Sequence, residues 1–138
     1  MALRVIGNMY GDYHAKLEDG LTSDTARTAG EAVYITGGKW AVSNTNGVID
    51  GIVIKGCASS GYPVVEYVVP GAMIEADLEG TLSTSLVAGV KSAVLVADSD
   101  NVDATKTEGG HLRVLSVDST NSKIVVVPTH TFLYTTST

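Results

Sequence analysis

Hydrophobic and polar residues alternate most regularly between residues 72 and 79. One face of this stretch is apolar and carries Ala72, Ile74, Ala76 and Leu78. The other face is mostly acidic and carries Met73, Glu75, Asp77 and Glu79. Side chains alternate between the two faces of a strand, whereas a helix would spread these carboxylates around its circumference. The pattern therefore predicts a strand with one buried face and one acidic, exposed face.

Short β segments are predicted on both sides of that strand. Pro70-Gly71 separates it from a preceding strand, because proline brings no N–H to a sheet. Gly37-Gly38 and Asn46-Gly47 indicate two-residue hairpin turns. Apolar segments between turn signals predict further strands at 32–36, 39–42, 48–55, 64–69, 90–97, 111–117 and 123–127, with another after Pro128. Without an amphipathic helix, this rhythm predicts an all-β fold: a single compact antiparallel β-barrel or β-sandwich.

The first thirty residues break the rhythm with polar and small residues and little strict alternation. They predict an extended N-terminal arm or loop, 1–30, with at most one short strand, ahead of one β domain, 31–138. The arm either packs on its own domain or lies on a neighbouring protein, since chain termini are free to enlarge an interface. On the second interpretation, its candidate protein-binding residues are Met9, Tyr10 and Tyr13.

Composition sets the broad class of the protein. The chain has 138 residues, 44% hydrophobic and 17% charged, which is enough for one globular core. No apolar run is long enough to span a bilayer, so no membrane partner is expected. Cys57 is the only cysteine, and no signal peptide opens the chain, so we expect assembly in a reducing cytoplasm. The net charge of -6 and the scattered lysines and arginines disfavour nucleic-acid binding.

The loop from Asp98 to Asp103 groups oxygen ligands of the kind that calcium prefers. However, the spacing of an EF-hand fails, because the mid-loop glycine and the terminal glutamate are both missing. Aspartate and asparagine side chains also close loops by bonding to the backbone, without any metal. We favour this second interpretation of the loop.

Glu75, Asp77 and Glu79 could suggest the paired carboxylates of a glycosidase, since alternate residues of a strand lie about 6–7 Å apart. An exposed strand face gives the same pattern, and we favour this interpretation.

Other signs of catalysis or ligand binding are weak. The three histidines are widely separated, and no G-x-S-x-G motif occurs. Tyr34 and Trp40 could form a ligand platform, but packing in the core is the favoured use. We expect no catalytic, metal-binding or cofactor-binding residues, and hence no enzyme.

Four stretches between residues 31 and 128 together resemble the small capsid decoration, or cement, proteins of tailed bacteriophages. They are VVPGAMIEADLEG, the Gly89-Val90-Lys91 turn, DSDNVDAT and the terminal hairpin HLRVLSVDSTNSKIVVVP. The resemblance implies a structural virion protein that binds the outer surface of the capsid and stabilises it. It also implies the major capsid protein as partner, a homotrimer, and no catalytic residues. The alternative is a carbohydrate- or small-ligand-binding β-barrel module, and an enzyme is third.

Overall fold

The computed structural model describes residues 3–11, 15–43, 45, 48–97, 99–131 and 134–135. Within these ranges the chain forms strands and no helix, so the predicted all-β class is confirmed. The strands are β1 (Leu3–Asn8), β2 (Leu17–Glu18), β3 (Ala32–Thr36), β4 (Lys39–Val42), β5 (Gly51–Lys55), β6 (Val64–Tyr67), β7 (Ala72–Glu79), β8 (Val102–Asp103), β9 (Leu112–Asp118), β10 (Lys123–Pro128), β11 (His130–Thr131) and β12 (Tyr134–Thr135).

Two antiparallel sheets form the body of the protein. The first sheet has the order β1-β7-β10-β9, and β8 runs parallel to the far end of β7. The second sheet has the order β2-β6-β5-β3-β4, and β11 pairs with β12 as a separate hairpin. Over the described residues neither sheet closes on itself, so a single barrel is not formed.

The main core contains apolar side chains from both sheets. The strand predicted from alternation, β7, contributes Ala72, Ile74 and Ala76, all of them buried. From the second sheet, Ala32 and Ile52 belong to the same cluster. The acidic residues of β7 point away from this core, as a period of two requires.

A second, smaller core lies on the other face of the second sheet. It contains Val33, Trp40, Val53 and Val65, with Leu21 packed against them. Trp40 is fully buried, and its ring centroid lies 6.0 Å from that of Tyr67. The buried tryptophan therefore cannot act as a ligand platform with Tyr34. Because both faces of the second sheet carry core residues, its strands are more deeply buried than simple alternation predicts.

The described part of residues 1–30 contains more sheet than the expected extended arm. β1 pairs with β7 from Leu3 to Asn8, and Leu3 is buried in the main core. β2 pairs with β6, and the Leu3 amide donates a hydrogen bond to the Gly30 carbonyl. The short β1 is interrupted by a register shift between Val5 and Gly7, which obscures its alternation in the sequence.

Other differences concern segments between the predicted strands. Residues 90–97 make only isolated bridges, at Ala93 and Leu95, instead of the predicted strand. The Gly37-Gly38 turn joins β3 to β4 with positive φ at both glycines, as a two-residue hairpin turn of this kind requires. The Asn46-Gly47 turn lies outside the described residues. No helix capable of crossing a membrane occurs in the ranges that the structure describes.

Candidate protein-binding surface

The chain turns sharply where β1 ends, and this turn is tied to the one that precedes β7. The Met9 amide donates a hydrogen bond to the Gly71 carbonyl at 2.9 Å. The side chain of Asn8 donates from Nδ2 to the Pro70 carbonyl at 2.9 Å, and its Oδ1 accepts from the Tyr10 amide at 2.8 Å. One asparagine thus fixes both turns, and we call residues 8–11 and 70–71 the corner.

The corner presents two large apolar side chains to solvent. Tyr10 is 77% exposed and Met9 is 49% exposed. The Tyr10 ring still touches the backbone beneath it, because a Cβ placed on Gly71 would lie 2.4 Å from Tyr10 Cδ2. Gly71 also has a φ of +83°, a conformation that side-chain-bearing residues resist. These two candidate protein-binding residues are therefore exposed on an ordered backbone, while the third, Tyr13, lies outside the described residues.

A groove of about 340 Å³ runs beside the corner. One wall is the corner itself, with Met9, Tyr10, Pro70 and Gly71. The opposite wall comes from β9, β10 and the residue that follows, with Arg113, Val127, Pro128 and Thr129. The ladder between β7 and β10 ends at Ile74 and Val126, and Pro128 has no N–H to donate to either neighbouring strand. The sheet therefore opens at this end, which leaves the groove.

Arg113 supplies the charge of the groove. It lies opposite Val127 in the pairing of β9 with β10, and its side chain is exposed. Among the described residues, the guanidinium of Arg113 has no hydrogen-bond or ion-pair partner. In the same sheet, Arg4 pairs with Glu75 at 2.7 Å and Lys123 pairs with Asp77. The Arg113 side chain can therefore pair with a carboxylate of a binding partner, whereas Arg4 and Lys123 already pair with carboxylates of β7.

The acidic face of β7 is held by its own chain. Glu75 accepts hydrogen bonds from Arg4 Nε and Nη2, at 3.0 and 2.7 Å, and Asp77 accepts one from Lys123. Glu79 accepts a hydrogen bond from Asn101 Nδ2 at 2.9 Å. The three carboxylates therefore act as links between β7 and its surroundings. This differs from the exposed, solvated face that the alternation predicted.

The aspartate-rich loop is closed by internal hydrogen bonds where it is described. Asp103 Oδ1 accepts from the Thr105 amide at 2.9 Å and from the Thr105 hydroxyl at 2.6 Å. Asn101 bonds to Glu79, and Asp98 lies outside the described residues. Within the described ranges, no group of three or more His, Cys, Asp or Glu residues is placed to hold a metal ion. The bonds at Asp103 are those of a side chain that closes its own turn.

Glu66 is a feature that sequence reasoning missed. It is only 7% exposed, and by register it lies between Leu17 of β2 and Ile52 of β5. No described residue donates a hydrogen bond to its carboxylate. Burial raises the pKa of Glu66, because the apolar surroundings disfavour the charged form. The only signal in the sequence is a lone glutamate inside an apolar run, VVEYVV.

No family model matches this chain, and no curated protein matches it significantly.

Proposed function

We propose that this chain is a structural virion protein that binds the outer surface of a phage capsid and stabilises it. The observation that carries the proposal is the corner, where Met9 and Tyr10 are exposed on a backbone held by three hydrogen bonds. Exposed aromatic side chains on ordered backbone lose little conformational freedom on binding, and such residues are common binding hot spots. The resemblance to decoration proteins supplies the partner class.

Binding at the corner would stabilise the shell by mass action. A protein that binds only the assembled shell lowers the free energy of that state relative to its separated subunits. The major capsid protein is the proposed partner, on the exterior of the virion, after assembly in the host cytoplasm. A homotrimer suits positions where shell subunits meet around a local symmetry axis. On this proposal the two sheets form a β-sandwich, and the protein has no catalytic role and no cofactor.

A carbohydrate- or small-ligand-binding module is the second candidate. The observation in its favour is a hollow of about 390 Å³ on the outer side of the first sheet. Its lining includes Glu75, Asp118, Asn121 and Lys123, which could bond to hydroxyl groups. No aromatic side chain lines it, so the stacking surface that sugars favour is missing from this hollow. A glycan array tests this alternative directly.

The proposal is tested by binding to purified, expanded phage heads that lack a decoration protein. Co-sedimentation measures the affinity and the copy number, and heating measures the temperature at which the heads break. We expect saturable binding and a higher disruption temperature. Tyr10→Ala should weaken binding by about tenfold or more, because truncating an aromatic hot spot costs roughly 2 kcal/mol.

Tyr62 provides the matched control, since it is also a tyrosine and is 63% exposed on a separate loop. Tyr62→Ala should bind heads as the wild type does. Point substitutions are preferable to removing residues 1–30, because β1 and Leu21 belong to the packed body. Absence of binding to heads by the wild-type protein would refute the proposal. Equal losses for the two tyrosines would refute the role of the corner.

A further inference from the structure

The groove beside the corner combines apolar walls with one cation that has no partner among the described residues. Its exposed apolar surface comes mainly from Met9, Pro70 and the ring of Tyr10, and the almost fully buried Val127 and Pro128 line the opposite wall. Its charge comes from Arg113. Recognition sites commonly join an apolar surface to a few polar groups that fix orientation. This combination indicates a ligand that carries both an apolar group and a negatively charged group.

The two other basic side chains near this sheet face show why Arg113 is distinctive. Arg4 and Lys123 are already neutralised by Glu75 and Asp77 of β7. The chain as a whole carries a net charge of -6, so a guanidinium with no partner among the described residues is a local exception to a negative background. A guanidinium presents a planar fork of donors that matches a carboxylate with two parallel hydrogen bonds. Charge complementarity therefore favours an acidic occupant.

The shape of the groove favours an extended segment. One wall is a turn and the other is the end of a strand pair, so the groove lies where the strands of the first sheet end. Its volume of about 340 Å³ accommodates a few side chains. An extended peptide can place one side chain against the apolar wall and the next against the charge.

We propose that this groove binds an extended segment of the capsid protein in which a carboxylate side chain pairs with Arg113 and a neighbouring apolar side chain packs against Tyr10. The identity of the partner rests on the proposed function, whereas the chemistry of the segment rests on the groove. The guanidinium and the carboxylate would form a partly exposed pair, so binding weakens as salt screens the charges.

Peptide titration tests the chemistry without the shell. ¹⁵N-labelled protein is titrated with acetyl-Gly-Leu-Pro-Asp-Leu-Gly-amide and with its twin that has asparagine in place of aspartate. The aspartate peptide should shift the amide signals of Met9, Tyr10, Gly71, Arg113 and Thr129, and it should bind about fivefold or more tightly than its twin. Arg113→Gln should remove that preference. Lys91→Gln, at an exposed lysine outside the groove, should keep it. No shift with either peptide, or equal affinity for both, would overturn the proposal.

Binding to heads separates this inference from the proposed function. We expect Arg113→Gln to weaken binding to heads and to make the affinity less dependent on salt concentration. Arg113→Lys should bind with intermediate affinity, because lysine keeps the positive charge and lacks the paired N–H donors of the guanidinium. If Tyr10→Ala weakens head binding and Arg113→Gln does not, the groove inference fails and the proposed function stands. If the peptide preference holds and heads do not bind, the proposed function fails and the groove chemistry stands. If Arg113→Gln instead converts an oligomer to a monomer in sedimentation equilibrium, the groove joins copies of this chain and the proposal is overturned.

Discussion

The ring of Tyr10 lies directly against the backbone of Gly71, so that a Cβ atom on the glycine would fall 2.4 Å from Tyr10 Cδ2. The glycine also holds a φ of +83°, which a residue with a side chain adopts at a cost. The most exposed aromatic residue of the corner therefore depends on the absence of a side chain at a position sixty-one residues away in sequence. This dependence can be tested by a single substitution.

Gly71→Ala should destabilise the protein and weaken binding to heads. The backbone strain costs about 1–2 kcal/mol, and displacement of the tyrosine ring adds to it. Thermal unfolding gives the first quantity and co-sedimentation with heads gives the second. Gly89→Ala is the matched control, because Gly89 has a φ of +97° and no atom within 4 Å of its added Cβ. Gly89→Ala should lower stability through backbone strain alone, and it should bind heads with the affinity of the wild type. Equal head binding by the two variants would show that the ring position does not matter.

Glu66→Gln should stabilise the protein at neutral pH. Burial raises the pKa of Glu66, so the folded state favours the protonated carboxyl. Above that raised pKa, the charged carboxylate destabilises the folded state. This destabilisation is lost as the pH falls below the raised pKa towards the ordinary glutamate pKa. Glutamine resembles the protonated side chain, so the stability gap between variant and wild type should close at low pH.

Urea unfolding of both proteins from about pH 4, near the ordinary glutamate pKa, up to about pH 8 measures this gap. Glu108→Gln, at an exposed glutamate, is the control and should change stability little at any pH. A gap that is independent of pH would show that Glu66 does not change its charge in this range.

Asp118→Ala should lower the melting temperature at neutral pH. The carboxylate closes the turn between β9 and β10 by accepting from the Thr120 and Asn121 amides, at 3.1 Å each, and from Asn121 Nδ2 at 2.8 Å. The bond from the Asn121 side chain and those from the two amides hold the pKa of Asp118 below its ordinary value.

A lowered pKa means that this stabilisation is present above the ordinary aspartate pKa and is lost as the pH falls through the lowered value. The difference between Asp118→Ala and the wild type should therefore shrink in acid. Ser119→Ala, in the same exposed turn, serves as the control and should melt close to the wild type. A loss that persists unchanged at the acid end would point to a role for Asp118 other than its charged hydrogen bonds.

Arg4 and Glu75 should show a weak, salt-sensitive coupling. The Arg4 side chain is 70% exposed and that of Glu75 is 27% exposed, so solvent screens the pair strongly. A double-mutant cycle with Arg4→Gln and Glu75→Gln should give a coupling free energy of about 0–1 kcal/mol that falls in high salt. A coupling well above this range, or one indifferent to salt, would mean that the pair is more deeply desolvated than its exposure implies.

The sequence predicts the strands that alternate cleanly and misses the burial that depends on distant partners. β7 is recognisable because its period of two persists over eight residues. β1 has six residues and a register shift at Ile6, so its pattern is too short and irregular to separate from an arm. Glu66 is buried on a strand that is flanked by β2 and β5, and no local pattern encodes these two neighbours.

The candidate surface was predictable in part. Met9 and Tyr10 stand out as large apolar residues within a polar segment, and the structure places both at the surface. Arg113 was not predictable as part of the same surface, because it lies about a hundred residues later in the chain and reaches the groove only through the pairing of β9 with β10. The order of strands in the sheet decides which distant residues lie next to each other, and turn signals in the sequence do not determine that order.

The pairing of β1 with β7 has a consequence for folding during synthesis. Arg4 and Glu75, which face each other across these strands, are separated by 71 residues, so β1 leaves the ribosome long before its partner exists. The apolar Leu3 and Val5 must stay unpaired until β7 follows, and closing so long a loop is a slow step. β1 is therefore synthesised before its partner strand and docks late. A nascent chain that is held before β7 emerges would leave this strand open to pairing with other chains.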